Sequence, residues 1–75
     1  MYKLSRTINK LNYSEQVKEA SSIVTECRVI VGEKLRYVLN GVEWRLSKVL
    51  GHKQNESGDM VIETELSTFE LKSLN

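Results

Sequence analysis

The sequence predicts an α+β domain in which one main helix packs against a small, mostly antiparallel sheet. Two observations support this prediction. Apolar residues recur at helical spacing over residues 14–27, and two alternating segments flank Asn40-Gly41 further along the chain. With 75 residues, 40% of them hydrophobic, the chain suits a single small globular domain spanning residues 1–75.

The N-terminal segment fits two structures. Leu4, Ile8 and Leu11 recur at the spacing of a helical stripe, whereas Tyr2, Leu4 and Ile8 share the parity of a strand. We therefore expect either an N-terminal helix or a first β-strand.

Residues 14–27 form the predicted main helix. Asn12 or Ser14 can cap its first turn, and Glu15 suits the positive end of the helix dipole. One narrow apolar face follows from the spacing of Val17, Ala20, Val24 and Cys27. The residues that follow are β-branched and alternating, which predicts a strand over 28–32.

The clearest predicted element is a β-hairpin with strands over 34–39 and 42–50. Asn40-Gly41 tolerates the positive φ angles of a type I′ turn, and this turn matches the twist of paired strands. This register puts three apolar pairs on one face: Leu39 with Val42, Tyr37 with Trp44, and Leu35 with Leu46. Because every neighbour on that face is aliphatic, we expect the two aromatic side chains to belong to the core, packed over the helix, rather than to a stacking platform for bases.

The opposite face of the hairpin is basic and carries the candidate nucleic-acid-binding residues. On this face the predicted register sets Lys34, Arg36 and Val38 opposite Ser47, Arg45 and Glu43. Phosphate contacts from such a face would give salt-dependent, mostly sequence-independent affinity. The candidate residues are Lys34, Arg36, Arg45, Lys48 and Lys53, with Lys3, Arg6 and Lys10 as further bases.

A third strand is predicted over residues 60–66, after a polar loop over 53–59. Glu63 and Glu65 would point outward from it and neutralise the basic face of the hairpin. In the C-terminal segment, Ser67-x-x-Glu70 is a capping box that predicts a short helix. The alternation of Phe69 with Leu71 permits a strand there instead.

Charge is unevenly distributed although the net charge is only +1. Residues 28–53 hold six bases against two acids, whereas residues 54–75 hold five acids against one base. Such segregation can steer association with a partner of the opposite pattern. The acidic residues that we expect to contact a protein partner are Glu56, Asp59, Glu63 and Glu65.

Cysteine and hydropathy patterns exclude several classes of protein. Cys27 is the single cysteine, so no internal disulfide can form, which favours a reducing, cytoplasmic location. One cysteine and one histidine cannot build a Cys/His zinc site, and no sequence motif indicates a cofactor. No apolar run is long enough to cross a bilayer. No catalytic set is recognisable, so we expect a protein that is not an enzyme.

The stretch "RYVLNGVEWRLSKVLGHK", residues 36–53, resembles the strand-rich end of RelE/ParE-type toxins. The resemblance covers less than a quarter of the chain, and the two long basic helices expected of that family are not recognisable in the N-terminal half. It implies a ribonuclease in which Arg36, Arg45, His52 and Lys53 would act on RNA.

These observations favour a non-enzymatic interaction module that docks on a protein partner as an inhibitor, adaptor or regulator. Its composition is typical of small phage or mobile-element products. The alternative is a nucleic-acid-binding regulator that uses the basic sheet face. Self-association is compatible with either function, because one strand of so small a sheet must be an edge.

Overall fold

The computed structural model describes residues 1–9 and 21–74. Regular structure in these residues consists entirely of antiparallel β-strands, and it contains no helix. The strands are β1 (Tyr2–Asn9), β2 (Ser21–Val24), β3 (Glu26–Arg28), β4 (Lys34–Leu39), β5 (Val42–Gln54), β6 (Met60–Thr64) and β7 (Ser67–Ser73).

The strands form one curled sheet in the order β2-β1-β7-β6-β5-β4-β3. β2 and β3 stand at the two ends of this order, yet only Thr25 separates them in the chain. The backbone N–H of Thr25 donates to the carbonyl of Val38 in β4 at 3.0 Å. The sheet therefore curls back on itself into a half-barrel.

The long strand β5 pairs with a different strand along each of its halves. Its first half pairs with β4, and its second half, from Val49 onward, pairs with β6. The register shifts between Val49 and Gly51 in the second pairing and between Lys34 and Arg36 in the first. Such irregularities bend a strand and increase its twist, so that β5 can pair with both β4 and β6 as the sheet curls.

The hydrophobic core fills the inner face of the half-barrel. Tyr37, only 2% exposed, and the fully buried Phe69 are its largest side chains. Burial of each such side chain stabilises the fold by about 1.5–3 kcal/mol. The remaining core residues are Leu4, Val24, Leu35, Leu46, Val49, Ile62 and Leu71.

Three buried residues with hydroxyl side chains, Thr64, Ser67 and Thr68, interrupt this apolar interior. Thr64 Oγ1 donates to the Ser67 carbonyl at 2.7 Å and accepts the Ser67 N–H at 3.0 Å, which ties the turn between β6 and β7. Ser47 Oγ of β5 donates to the same Thr64 oxygen at 2.7 Å. The Thr64 hydroxyl thus connects three strands, whereas the buried Ser67 Oγ has no hydrogen-bond partner among the described residues.

The predicted α+β class is wrong, because the described part of the predicted main helix, residues 21–27, forms β2 and β3. Thr25 and Glu26 both lie opposite Val38, as in a β-bulge. The extra residue puts the inward-facing Val24 and Cys27 three positions apart, a spacing that imitates a helix. Residues 14–20 of that prediction lie outside the described residues.

Other boundaries also differ from the predictions. Instead of a strand over 28–32, β3 ends at Arg28 and a turn follows, in which the Gly32 N–H donates to the Val49 carbonyl at 2.9 Å. The strands expected over 42–50 and 60–66 run over 42–54 and 60–64. At the N-terminus the strand alternative is the one observed. The predicted C-terminal helix is wrong, because β7 pairs with both β1 and β6 and buries Phe69 and Leu71.

The β4–β5 hairpin is confirmed. Asn40 and Gly41 have φ angles of 52° and 79°, as a type I′ turn requires. Tyr37 lies opposite Trp44, and Leu39 lies opposite Val42. Trp44 is half-buried against the core. The expected partner of Lys34 is wrong, since the register shift places Lys34 opposite Lys48 rather than Ser47.

Candidate functional site

Three arginines lie in register on three adjacent strands. Arg28 of β3 is opposite Arg36 of β4, which is opposite Arg45 of β5. Residues opposite each other in an antiparallel sheet share a face, and neighbouring strands are about 4.8 Å apart. The neighbouring position on β4 is the buried Tyr37, so these three residues share the outer face. We call them the arginine row.

A second pair of bases lies next to the arginine row. Lys34 of β4 is opposite Lys48 of β5. On β4, Lys34 is the next outward-facing residue after Arg36 in the direction away from the hairpin turn. Both lysines are exposed, as are Arg28 and Arg45, whereas Arg36 is half-buried. The arginine row and these two lysines form one surface, which we call the basic face.

Acids flank the basic face at both ends. At the lysine end, Glu33 directly precedes Lys34, and the Glu65 N–H donates to the Lys48 carbonyl at 3.1 Å. The next row toward the hairpin turn is Glu26, Val38 and Glu43. Glu43 Oε2 lies 3.6 Å from Arg45 Nη2, with both side chains more than half exposed. Exposed pairs of this kind contribute about 0–1 kcal/mol. Within residues 1–9 and 21–74, the structure shows no ion pair for Arg28 or Arg36.

Repulsion between the positive charges of the arginine row destabilises the folded state. Like charges directly opposite each other in a sheet are destabilising. An anion that lies across the row would relieve this repulsion, and each guanidinium offers a planar fork of N–H donors that suits phosphate or carboxylate oxygens. The surface is therefore suited to binding anions.

A cleft of about 380 Å³ lies beside the arginine row. Arg28 and Arg36 line it from β3 and β4, and Tyr2 lines it from β1. Cys27 also contacts this cleft, but burial raises the pKa of its thiol to about 11. The thiol is therefore neutral at physiological pH, and neutral thiols are poor nucleophiles.

The predicted acidic contact residues do not form one patch. Glu56 and Asp59 lie in the turn that precedes β6, and Glu65 lies in the turn that follows it. The five residues of β6 separate these turns by roughly 17 Å. Glu63 lies between them on β6, opposite Gly51, and accepts a hydrogen bond from Thr68 Oγ1 at 2.8 Å.

The expected neutralisation of Arg36 and Arg45 by Glu63 and Glu65 is wrong. β6 pairs with the second half of β5, whereas the arginine row crosses its first half. Glu43, on the same strand as Arg45, is the acid that contacts the row. The long, bent β5 thus separates Glu63 from the arginine row, whereas Glu65 lies beside Lys48, whose carbonyl accepts the Glu65 N–H at 3.1 Å.

Several predicted bases lie away from the basic face. Lys53 is opposite Val61 near the far end of β5. Arg6 lies opposite the buried Phe69, and its Nη1 atom is buried, so Arg6 is not part of an outer surface. Lys3 lies opposite Lys72 on β7. Lys10 lies outside the described residues.

The residues implied by the toxin resemblance are split between two places. Arg36 and Arg45 belong to the arginine row, whereas His52 lies opposite Ile62 beside a separate cleft of about 260 Å³ that Lys53 also lines. Six residues of β5 lie between Arg45 and His52, which puts them roughly 23 Å apart along the strand. The structure therefore does not bring the four residues into one site.

Sequence reasoning missed Arg28 as a member of the site. The signal was the alternation of Glu26, Cys27 and Arg28, which puts the charged residues on one face of a strand and the cysteine on the other. The helix prediction for this segment concealed that alternation.

The described residues bring no three His, Cys, Asp or Glu side chains together at a spacing that could hold a metal ion. No helix capable of spanning a membrane occurs in the same residues. No protein-family model, no curated protein and no solved structure matches the chain.

Proposed function

We propose that the protein is a non-enzymatic module that binds the phosphate backbone of a nucleic acid through its basic face. The observation that carries this proposal is the arginine row, in which like charges are opposed without an acid between them. Phosphate contacts by Arg and Lys supply the main sequence-independent part of nucleic-acid affinity. The basic face thus supports the alternative inferred from the sequence, a nucleic-acid-binding regulator. Docking on a protein through Glu56, Asp59, Glu63 and Glu65 has less support, because these acids do not form one patch.

Recognition of the backbone rather than the bases follows from where the aromatic residues lie. Tyr37 is buried, and Trp44 lies opposite it on the inner face. Stacking platforms for unpaired bases need exposed aromatic rings on the binding surface. The basic face itself has none among the described residues, and half-buried Tyr2 in the cleft beside it is a single ring rather than a platform. We therefore expect little preference between sequences.

The absence of catalysis is part of the proposal. Its support is the separation of Arg45 from His52 and the protonated state of Cys27. A reducing cytoplasm suits a protein with one cysteine, and we place its action there. RNA incubated with the purified protein should stay intact, and cleavage that depends on His52 would contradict this part.

Binding to labelled duplex and single-stranded DNA and RNA at low salt tests the proposal. We expect the wild type to bind strands of unrelated sequence alike. Arg36→Gln and Arg45→Gln should each weaken binding about tenfold, because each removes charged hydrogen bonds to phosphate. Lys72→Gln is the matched control, since Lys72 is an exposed base outside the basic face.

Two results would reject nucleic-acid binding by this face. One is a wild type that fails to bind any of these strands at low salt. The other is an equal loss of affinity in Lys72→Gln, which would indicate that only the total charge matters.

Docking on a protein partner is the second candidate function. The row of Glu26, Val38 and Glu43 favours it, because this row gives the face an acidic, partly apolar margin beside the arginines. Arginine is enriched in protein interfaces, and the rim of such an interface is polar. A captured host protein that is lost on Val38→Asp, while nucleic-acid binding persists, would favour this candidate.

A further inference from the structure

Two rows of different charge lie side by side on the outer face of β3, β4 and β5. The arginine row takes one position on each strand, and Glu26, Val38 and Glu43 take the next outward position toward the hairpin turn. We call the second set the glutamate row. Outward positions that are two residues apart on a strand are about 7 Å apart. The face therefore changes from cationic to acidic over a short distance.

The 380 Å³ cleft extends over both rows. Arg28 and Arg36 line it from the arginine row, and all three residues of the glutamate row line it as well. Half-buried Tyr2 adds an aromatic ring to its wall. Binding sites for small organic molecules have volumes of about 300–1,000 Å³. The cleft is therefore large enough for one planar ring system of the size of a nucleobase.

A nucleotide carries complementary groups at its two ends. Its phosphate is anionic and suits the guanidinium groups of Arg28 and Arg36. The Watson–Crick edge of every base has at least one N–H group that can donate to a carboxylate. Glu26 and Glu43 repel a phosphate but accept such N–H groups, and Val38 between them offers apolar surface to the base. The order of the two rows thus fixes which end of the nucleotide lies where.

We propose that the cleft accepts one unpaired nucleobase of a single strand whose phosphates lie on the arginine row. This inference rests on the proposed function and adds to it a preference for single strands over duplexes. In a duplex the bases are stacked and their N–H groups are used in pairing, so a base must leave the stack, at a cost in free energy, to enter the cleft. Because every base has a suitable N–H donor, the cleft does not read the sequence.

An abasic strand separates base binding from phosphate binding. Such a strand has the sugars and phosphates of the single strand but no bases. The wild type should bind the complete strand about tenfold more tightly than an abasic strand of the same length at the same low salt, because only the complete strand fills the cleft. Equal affinity for the two strands would overturn this inference and leave phosphate binding by the arginine row intact. Failure to bind either strand would overturn both.

Glu26→Ala tests whether the base lies in the cleft. The substitution removes an acceptor for the base, and it also removes a negative charge two residues from Arg28. The variant should therefore bind the complete strand about fivefold more weakly than the wild type does, but bind the abasic strand at least as tightly. A purely structural role of Glu26 would lower both affinities together.

Glu56→Ala is the matched control, since Glu56 is an exposed acid in the turn before β6 and does not line the cleft. It should bind both strands like the wild type. A Glu26→Ala protein that binds both strands more tightly, or both more weakly by the same factor, would overturn the assignment of the base to the cleft.

Discussion

Two rows of three residues cross adjacent strands with the same geometry and opposite chemistry. Leu4, Leu71 and Met60 lie in register across β1, β7 and β6, on the inner face, where Leu4 is fully buried. The arginine row crosses β3, β4 and β5 on the outer face. The first row stabilises the fold by removing apolar surface from water. The second row opposes the fold by repulsion, which is why we regard it as a functional surface.

The largest expected effect concerns the apolar row. Leu4→Ala should lower the free energy of unfolding by about 2–5 kcal/mol, because it removes buried methyl groups and leaves a cavity. Ile8→Ala, on the same strand but at a position 56% exposed, should change stability by no more than about 0.5 kcal/mol. Urea unfolding measures both. Equal losses in the two variants would contradict the placement of the core on the inner face.

A smaller effect of opposite sign is expected for the arginine row. Arg36→Glu should raise the free energy of unfolding by about 0.2–1 kcal/mol, since it sets an acid between Arg28 and Arg45. The same variant should lose nucleic-acid binding. Lys72→Glu is a matched control, because it also replaces one member of an opposed like-charged pair, here with Lys3. It should stabilise the fold to a similar extent without loss of binding, and a destabilised Arg36→Glu would contradict the account.

The last expected effect lies behind the arginine row, at Cys27, and is confined to alkaline pH. Burial raises the pKa of its thiol from 9.0 to about 11. The stabilisation associated with the neutral thiol is complete below pH 9 and is lost as the pH rises through about 11, because the unfolded chain loses the proton first. Cys27→Ala should remove this component from the pH dependence of unfolding between these values. An identical pH dependence in the variant and the wild type would contradict it.

The hairpin could be predicted because its signals are local. Asn40 and Gly41 satisfy the backbone angles of the turn, and alternation around them sets the register of Tyr37 with Trp44. Arg36 and Arg45 were therefore placed opposite each other from the sequence alone. The positions of two of the three residues of the arginine row could therefore be predicted without the structure.

The remaining parts of the fold depend on irregularities that the sequence pattern conceals. The bulge at Thr25 separates Val24 from Cys27 by three positions and so suggests a helix. The capping box from Ser67 to Glu70 was overridden by pairing of β7 on both sides, which is a tertiary effect. Arg28 became part of the site only when β3 was placed beside β4.

The salt dependence of nucleic-acid binding tests the central claim, that the arginine row holds phosphates, most directly. Each lost phosphate contact should reduce the slope of log K against log salt by about 0.7 for single strands and about 0.9 for duplex DNA. We predict a reduction of this size for Arg36→Gln relative to the wild type and none for Lys72→Gln. An unchanged slope in Arg36→Gln would contradict the claim.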